Sequence, residues 1–283
     1  MKNTKSDFES IIPTALHTIY PLIYTDIPYV KEIFDELCKK GFPEELKNDK
    51  LVFEIEARYK LIDDLLDKTN ITQILELACG FTPRGLNYCL KNPNIVYVEF
   101  DLQKVISGKQ EILDNIVEVP KNLHFVAGNA LDKNDLQKCL KYFDLSKPIA
   151  IINQGLMRYL DFDEKRLLAS NVHSIIEQNN GVWLTCDFTP AAFIKNQDNN
   201  LSDGNNYNKN LTKVTDRNNA SWRFKDKEDA EQFVKPIGLK MEWHEFTESI
   251  PMLSSIKILK QTEKKVEPYL KDAYVSVLTA NKD

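Results

Sequence analysis

ITQILELACGFTPRGL, residues 71–86, decides how the rest of the chain reads. Ile71 to Ala78 is a near-continuous apolar run, which predicts a buried strand. Gly80 breaks the run, and a helix is expected from about Pro83. A strand that ends in glycine and opens a helix puts backbone N–H groups where a ligand can approach them closely.

The same alternation continues downstream. Asn94–Phe100, Leu123–Ala127, Pro148–Asn153 and Gly181–Asp187 read as strands. Leu102–Val117, Asn134–Tyr142 and Asp161–Gln178 read as the helices between them. Apolar strands joined by helices predict a parallel sheet covered on both faces, and right-handed crossovers make it doubly wound. Asp229–Val234 reads as a helix, Leu239–Phe246 as a sixth strand and Tyr274–Thr279 as a last one. Two strands closing the chain predict an antiparallel hairpin at one sheet edge. The expected architecture is a Rossmann-like, seven-stranded, mostly parallel α/β sheet.

Upstream of Ile71 the pattern is helical. Ile33, Phe34 and Leu37 keep helical spacing within residues 27–39, as do Phe53, Ile55, Tyr59 and Ile62 within residues 52–66. No strand precedes them, so residues 1–66 are expected to cap a core formed by residues 67–283, all in one domain. Residues 188–237 interrupt the rhythm as a loop or lid segment. Its stretch 195–220 is rich in Asn and Asp, and reads either as a solvated loop or as a lid.

The chain has 283 residues, 42% of them hydrophobic, and a net charge of −5, so a full core is affordable and a general nucleic-acid binder is disfavoured. Five cysteines without a CxxC pair and four scattered histidines give no metal-ligand spacing, so no metal is expected. The first ten residues lack the apolar run of a signal peptide, and no segment approaches the roughly 20 apolar residues of a membrane span. A cytoplasmic location without membrane attachment is the expectation.

Three ligands compete for the glycine turn. A phosphate loop needs G-x-x-x-x-G-K-[ST]; Gly80 and Gly85 have that gap, but Leu86 and Asn87 follow where the lysine should stand. A dinucleotide fingerprint needs a middle glycine where Thr82 stands. S-adenosylmethionine carries no phosphate and needs neither. It needs an open turn, an acid after the second strand for the ribose hydroxyls, polar contacts to adenine after the third, and a gap after the fourth. Glu76 and Gly80, Glu99 and Asp101, the run from Gly128 to Asp132, and Asn153-Gln154-Gly155 supply these in order.

Three further segments are informative: Ala57-Arg58-Tyr59 with Ile62-Asp63-Asp64, VYVEFDLQKVISGKQEIL, and NQGLMRYL. With ELACGFTPRGL they resemble the leucine carboxyl methyltransferase-like group of class I S-adenosylmethionine-dependent methyltransferases, over residues 53–187. The resemblance implies that Arg58 pairs with the cofactor carboxylate and Gly80 contacts the methionyl backbone. It implies that Asp101 holds the ribose, Asn129 and Ala130 lie beside adenine, and Gln154 sits near the methionyl group. Glu76 and Leu102 complete the expected cofactor set. The family usually has an acid where Asn129 stands and glutamate where Gln154 stands. Gln154 is expected to bond the cofactor's amino group.

For the acceptor, Tyr20 and Tyr24 in the cap and Arg158 and Tyr159 after the fourth strand are the candidates, with plain packing as the alternative for the tyrosines. Asp101 also reads as an N-cap, Glu76 as an anchor bonded to backbone N–H groups, and Arg84 as structural or a solvated helix start. The four histidines read as structural, and no catalytic base is assigned. The expected reaction is O-methylation of a small-molecule hydroxyl or carboxylate, leaving S-adenosylhomocysteine. The alternative is a non-catalytic S-adenosylmethionine-binding protein.

Overall fold

The structure, a computed structural model, describes residues 12–41, 51–191, 193 and 220–281. The core strands are β1 (Gln73–Leu77), β2 (Val96–Asp101), β3 (Leu123–Ala127), β4 (Ala150–Asn153), β5 (Val182–Thr185), β6 (Leu239–Glu245) and β7 (Tyr274–Ala280). They form one sheet in the order β3-β2-β1-β4-β5-β7-β6. The first five pair in parallel, whereas β7 runs antiparallel to both β5 and β6.

The expected terminal pair is present, but it is not a tight hairpin. Residues 246–273 separate β6 from β7 and carry two short helices, Ser254–Ile258 and Glu263–Leu270. β7 slots between β5 and β6, so β6 forms the edge. The apolar spacing in that connection is too short to announce its helices.

Among the described residues, four helices precede the sheet: α1 (Ile12–His17), α2 (Ile19–Leu22), α3 (Val30–Lys39) and α4 (Val52–Thr69). α5 (Arg84–Lys91), α6 (Gln103–Ile116), α7 (Lys133–Leu140) and α8 (Phe162–Asn179) lie between the five parallel strands, and a further helix, Lys227–Val234, precedes β6. α8 begins with a full capping box: Asp161 accepts from the backbone of Asp163 and Glu164, and Glu164 reaches back to the Asp161 N–H. Asn180, left-handed at φ 54°, ends it.

Strand alternation sorts the core into two layers. Ile74, Tyr97 and Ile152 face one way and pack with Ile62 of α4, Leu86 of α5 and Ile112 of α6. Leu75, Leu77, Val98 and Ile151 face the other way and pack with Leu136 of α7 and Leu168, Val172 and Ile176 of α8. Glu76 shares the parity of Ile74, so it points toward α4 and α5. That orientation decides its partners.

The strand order reverses between β1 and β4, and the crevice at such a switch point is where this class of sheet takes ligands. Among the described residues no helix is long and apolar enough to cross a membrane. All five cysteines are free thiols, and Cys38 alone is exposed. The 195–219 stretch, where a lid was one reading, lies outside the described residues.

Candidate functional site

The turn after β1 is held open by the strand beside it. Ala78 and Gly80 both take left-handed backbone, at φ 54° and 56°. Gly80 N donates to Asp101 Oδ2 at 2.9 Å, and Leu102 N donates to Asp101 Oδ1 at 2.7 Å. Asp101 thus ties the glycine turn to the end of β2. It is not the N-cap of α6, because Leu102 takes that position and neither of the first α6 amides reaches the carboxylate. Burial pushes the Asp101 carboxyl up to about 6, against the pull of its two backbone donors.

Beneath the turn lies a buried arginine. Arg84, the first residue of α5, is 0% exposed. Its Nε donates to Asp63 Oδ1 at 2.7 Å and its Nη1 to Glu76 Oε1 at 2.5 Å. Nη2 donates to Gln154 Oε1 at 2.9 Å and more weakly to Tyr59 O at 3.3 Å. The Tyr97 hydroxyl takes the other Glu76 oxygen at 2.7 Å. Glu76 therefore anchors the turn through Arg84 and Tyr97, not through backbone N–H groups as its position on a strand suggests. Arg84 is structural, the first of the two roles open to it, and joins α4, β1, α5 and the loop after β4. Desolvation lifts Asp63 to about 6 even with Arg84 beside it.

The loop after β4 is fixed by an acid that sequence reasoning did not single out. Asp187, just past β5, accepts from Asn153 Nδ2 at 2.6 Å and from the backbone of Gly155, Leu156 and Met157 at 2.6, 2.7 and 2.9 Å. Its place at the carboxyl end of β5, beside the switch point, was the available signal. After β3, Leu131 N donates to Asn129 Oδ1 at 3.0 Å, and Asn129 N donates to Asp135 Oδ2 at 2.9 Å.

One cavity gathers what the sequence scattered. Arg58, Glu76, Gly80, Asp101, Leu102, Asn129, Ala130 and Gln154 all line it, and so do Arg158 and Tyr159. It opens to solvent on one side and combines apolar walls with a few convergent polar groups, as ligand clefts do. Thr14, Ala15, Thr18 and Leu22 of the first two helices and their junction also line it. Those helices are too short to be legible from periodicity.

Arg58 reaches the cavity from α4. It is only 7% exposed, and its Nε has no hydrogen-bond partner. A second cavity opens beyond it and shares Arg58, Gly155 and Arg158 with the first. Trp222, Phe224 and Phe246 give that second cavity an aromatic wall, and Lys165, Cys186 and Asp187 also line it.

Tyr20 and Tyr24 line neither cavity. Their hydroxyls share a hydrogen bond at 3.0 Å, and Tyr20 packs on Phe34. His124 stacks on Tyr142, and His244 lies near Glu242 and Glu248; neither lines a cavity.

The leucine carboxyl methyltransferase family matches residues 28–173, just over half of the chain, and the chain belongs to that family. A Mycobacterium marinum protein is 27% identical over 153 residues, 50% of this chain and 45% of its own length. A Mycolicibacterium smegmatis protein is 30% identical over 130 residues, 42% of this chain and 41% of its own. Both carry the name "Putative S-adenosyl-L-methionine-dependent methyltransferase". The alignments thus span less than half the length of these relatives. The fold is that of a DUF574 family protein from Streptomyces avermitilis, with a TM-score of 0.59 at 12% identity over 95% of this chain and 97% of that one. A Thermobifida fusca protein, described as a "putative methyltransferase", superposes with a TM-score of 0.55 at 12% identity, over 99% and 97% of the two chains.

Proposed function

We propose that this member of the leucine carboxyl methyltransferase family methylates an oxygen of a small molecule, a hydroxyl or a carboxylate, with S-adenosylmethionine as methyl donor. The observation that carries the reading is Arg58: a buried guanidinium with an unpartnered Nε, at the junction of two cavities. Such a group calls for an anionic partner.

The residues present fit the cofactor. Arg58 would hold its carboxylate. Asp101 keeps free lone pairs for the ribose hydroxyls after serving Gly80 and Leu102. The Asn129 amide and the Ala130 backbone stand where adenine would lie. The first cavity contains no lysine among its described lining, which suits a ligand without phosphate. When bound, S-adenosylmethionine supplies a methyl group already activated on sulfur.

The protein's own work is then alignment and exclusion of water. Asp187 fixes the backbone from Gly155 to Met157, so the floor of the junction is rigid before any ligand arrives. Arg58 and Arg158 supply positive charge there, which favours an ionised acceptor oxygen. A carboxylate acceptor is ionised at neutral pH and needs no general base. The second cavity is the space available to the acceptor.

The test is incubation with methyl-labelled S-adenosylmethionine and a panel of acids, alcohols and amines. Label on oxygen supports the proposal, whereas label confined to nitrogen overturns it. Tight S-adenosylhomocysteine binding with no turnover on any acceptor would favour a binding protein.

A further inference from the structure

We propose that the second cavity contains an anion-binding subsite built on the Lys165 ammonium, which anchors a carboxylate of the acceptor at a distance from the atom that is methylated. This rests on the reading of that cavity as the acceptor's.

Lys165 is 2% exposed, yet it lines the second cavity. Its Nζ donates to Leu160 O and, at 2.8 Å, to Trp222 O. Both partners are neutral carbonyls and the Phe162 ring lies 5.2 Å from the ammonium, so one of its three N–H donors is left over and its charge has no directly paired carboxylate. No carboxylate lies within ion-pair distance of it among the described residues.

The acids nearest to it are committed elsewhere. Asp161 and Glu164 form the capping box of α8. Asp187 is saturated by Asn153 and three backbone N–H groups. Lys165 also sits one turn from the N-terminus of α8, where the helix dipole opposes a cation. Burial lowers its ammonium to about 8 despite those three acids. A buried charge without a counter-charge is a standing cost to the fold. An incoming carboxylate removes that cost, and the aromatic wall suits an apolar body attached to it.

The position excludes this carboxylate as the methylated group. Arg58, Gly155 and Arg158 line both cavities and mark the junction; Lys165 lines only the second. The acceptor this geometry selects therefore carries its nucleophilic oxygen at the junction and a separate acid beside Lys165.

The test is calorimetric titration of the full chain, saturated with S-adenosylhomocysteine, against benzoate and its uncharged isostere benzamide. Benzoate is expected to bind at least tenfold more tightly. Lys165→Met is expected to abolish that preference and leave the affinity for S-adenosylhomocysteine within twofold, whereas Lys165→Arg retains the preference. Equal binding of the two probes by the unaltered protein overturns the subsite, and so does a benzoate preference that survives Lys165→Met. The comparison on the unaltered protein stands even if the variants fold poorly. No heat with S-adenosylhomocysteine itself overturns the methyltransferase reading as well; heat with it but no benzoate preference overturns the subsite alone.

Discussion

Arg84 Nη2 donates to Gln154 Oε1 at 2.9 Å. Arginine has no acceptor, so this bond fixes the orientation of the Gln154 amide. The oxygen faces inward and the NH2 group is what remains for the cavity. Gln154 is therefore placed to bond a carboxylate, a carbonyl or a lone pair more readily than the cofactor's amino group, which was the expectation from sequence. Asn129 is arranged alike, with its oxygen held by Leu131 N.

Gln154→Glu restores a carboxylate at this point. Its second oxygen would face the cavity, and a screened attraction of about 1–3 kcal/mol to the sulfonium of the bound cofactor is expected. The affinity for S-adenosylmethionine should rise at least fivefold relative to that for S-adenosylhomocysteine, whose sulfur carries no charge. An unchanged ratio in paired calorimetric titrations would show that the sulfur sits elsewhere.

Removing Arg84 strands two acids. Arg84→Met leaves Glu76 and Asp63 without their guanidinium, and loss of one partner from a buried ion pair costs about 3–5 kcal/mol. Urea unfolding should show that loss, and Glu76→Gln added to Arg84→Met should recover part of it. A loss below about 1 kcal/mol would mean that the hub contributes little.

Arg58 and Asp101 should separate with truncated ligands. Arg58→Leu should weaken S-adenosylhomocysteine by about 1.5–3 kcal/mol, the range for charged hydrogen bonds, and leave adenosine unaffected because adenosine has no carboxylate. Asp101→Ala should weaken both. If Arg58→Leu alters only the acceptor's KM, its guanidinium belongs to the acceptor.

The acid at the ribose end predicts a pH dependence. Free Asp101 titrates at about 6, and ribose hydroxyls donate to its ionised form. Binding of S-adenosylhomocysteine should therefore weaken as pH falls below 6, approaching tenfold per unit until the lowered value in the complex is reached. Asp101→Asn should flatten the curve, which separates it from Asp63, also near 6. In the ligand-free chain the sign reverses. A carboxyl raised above its ordinary value supports the fold while protonated, so the contribution of Asp101 to stability fades as pH rises from about 4 through 6.

Ala78 is the strained residue of the turn. An L-residue in left-handed backbone carries about 1–2 kcal/mol, part of which glycine gives back as lost chain freedom. Ala78→Gly should gain up to about 1 kcal/mol in urea unfolding without changing ligand affinity, and Ala78→Val should lose stability. A destabilised Ala78→Gly would mean that the methyl group packs usefully in the cavity wall.

The parallel core is legible along the chain, because buried strands and amphipathic helices each write their period into the residues that fill them. The proposed ligand end was legible too: Gly80, Asp101, Asn129 and Gln154 stand at or just past the carboxyl ends of β1 to β4 in chain order, and the missing lysine and middle glycine argue against a phosphate ligand. How those side chains distribute their hydrogen bonds emerges from the folded packing alone. Arg84 lies 8 residues from Glu76 and 70 from Gln154, and no local pattern foretells that one guanidinium joins them. The same holds for Asp187 beneath the loop after β4, for Lys165 without a paired acid among the described residues, and for Tyr20 and Tyr24, which line neither cavity. Period and turn chemistry act between near neighbours and can be read along the chain. Pairing of buried polar groups depends on which elements the sheet brings together, and that is settled only when the chain has folded.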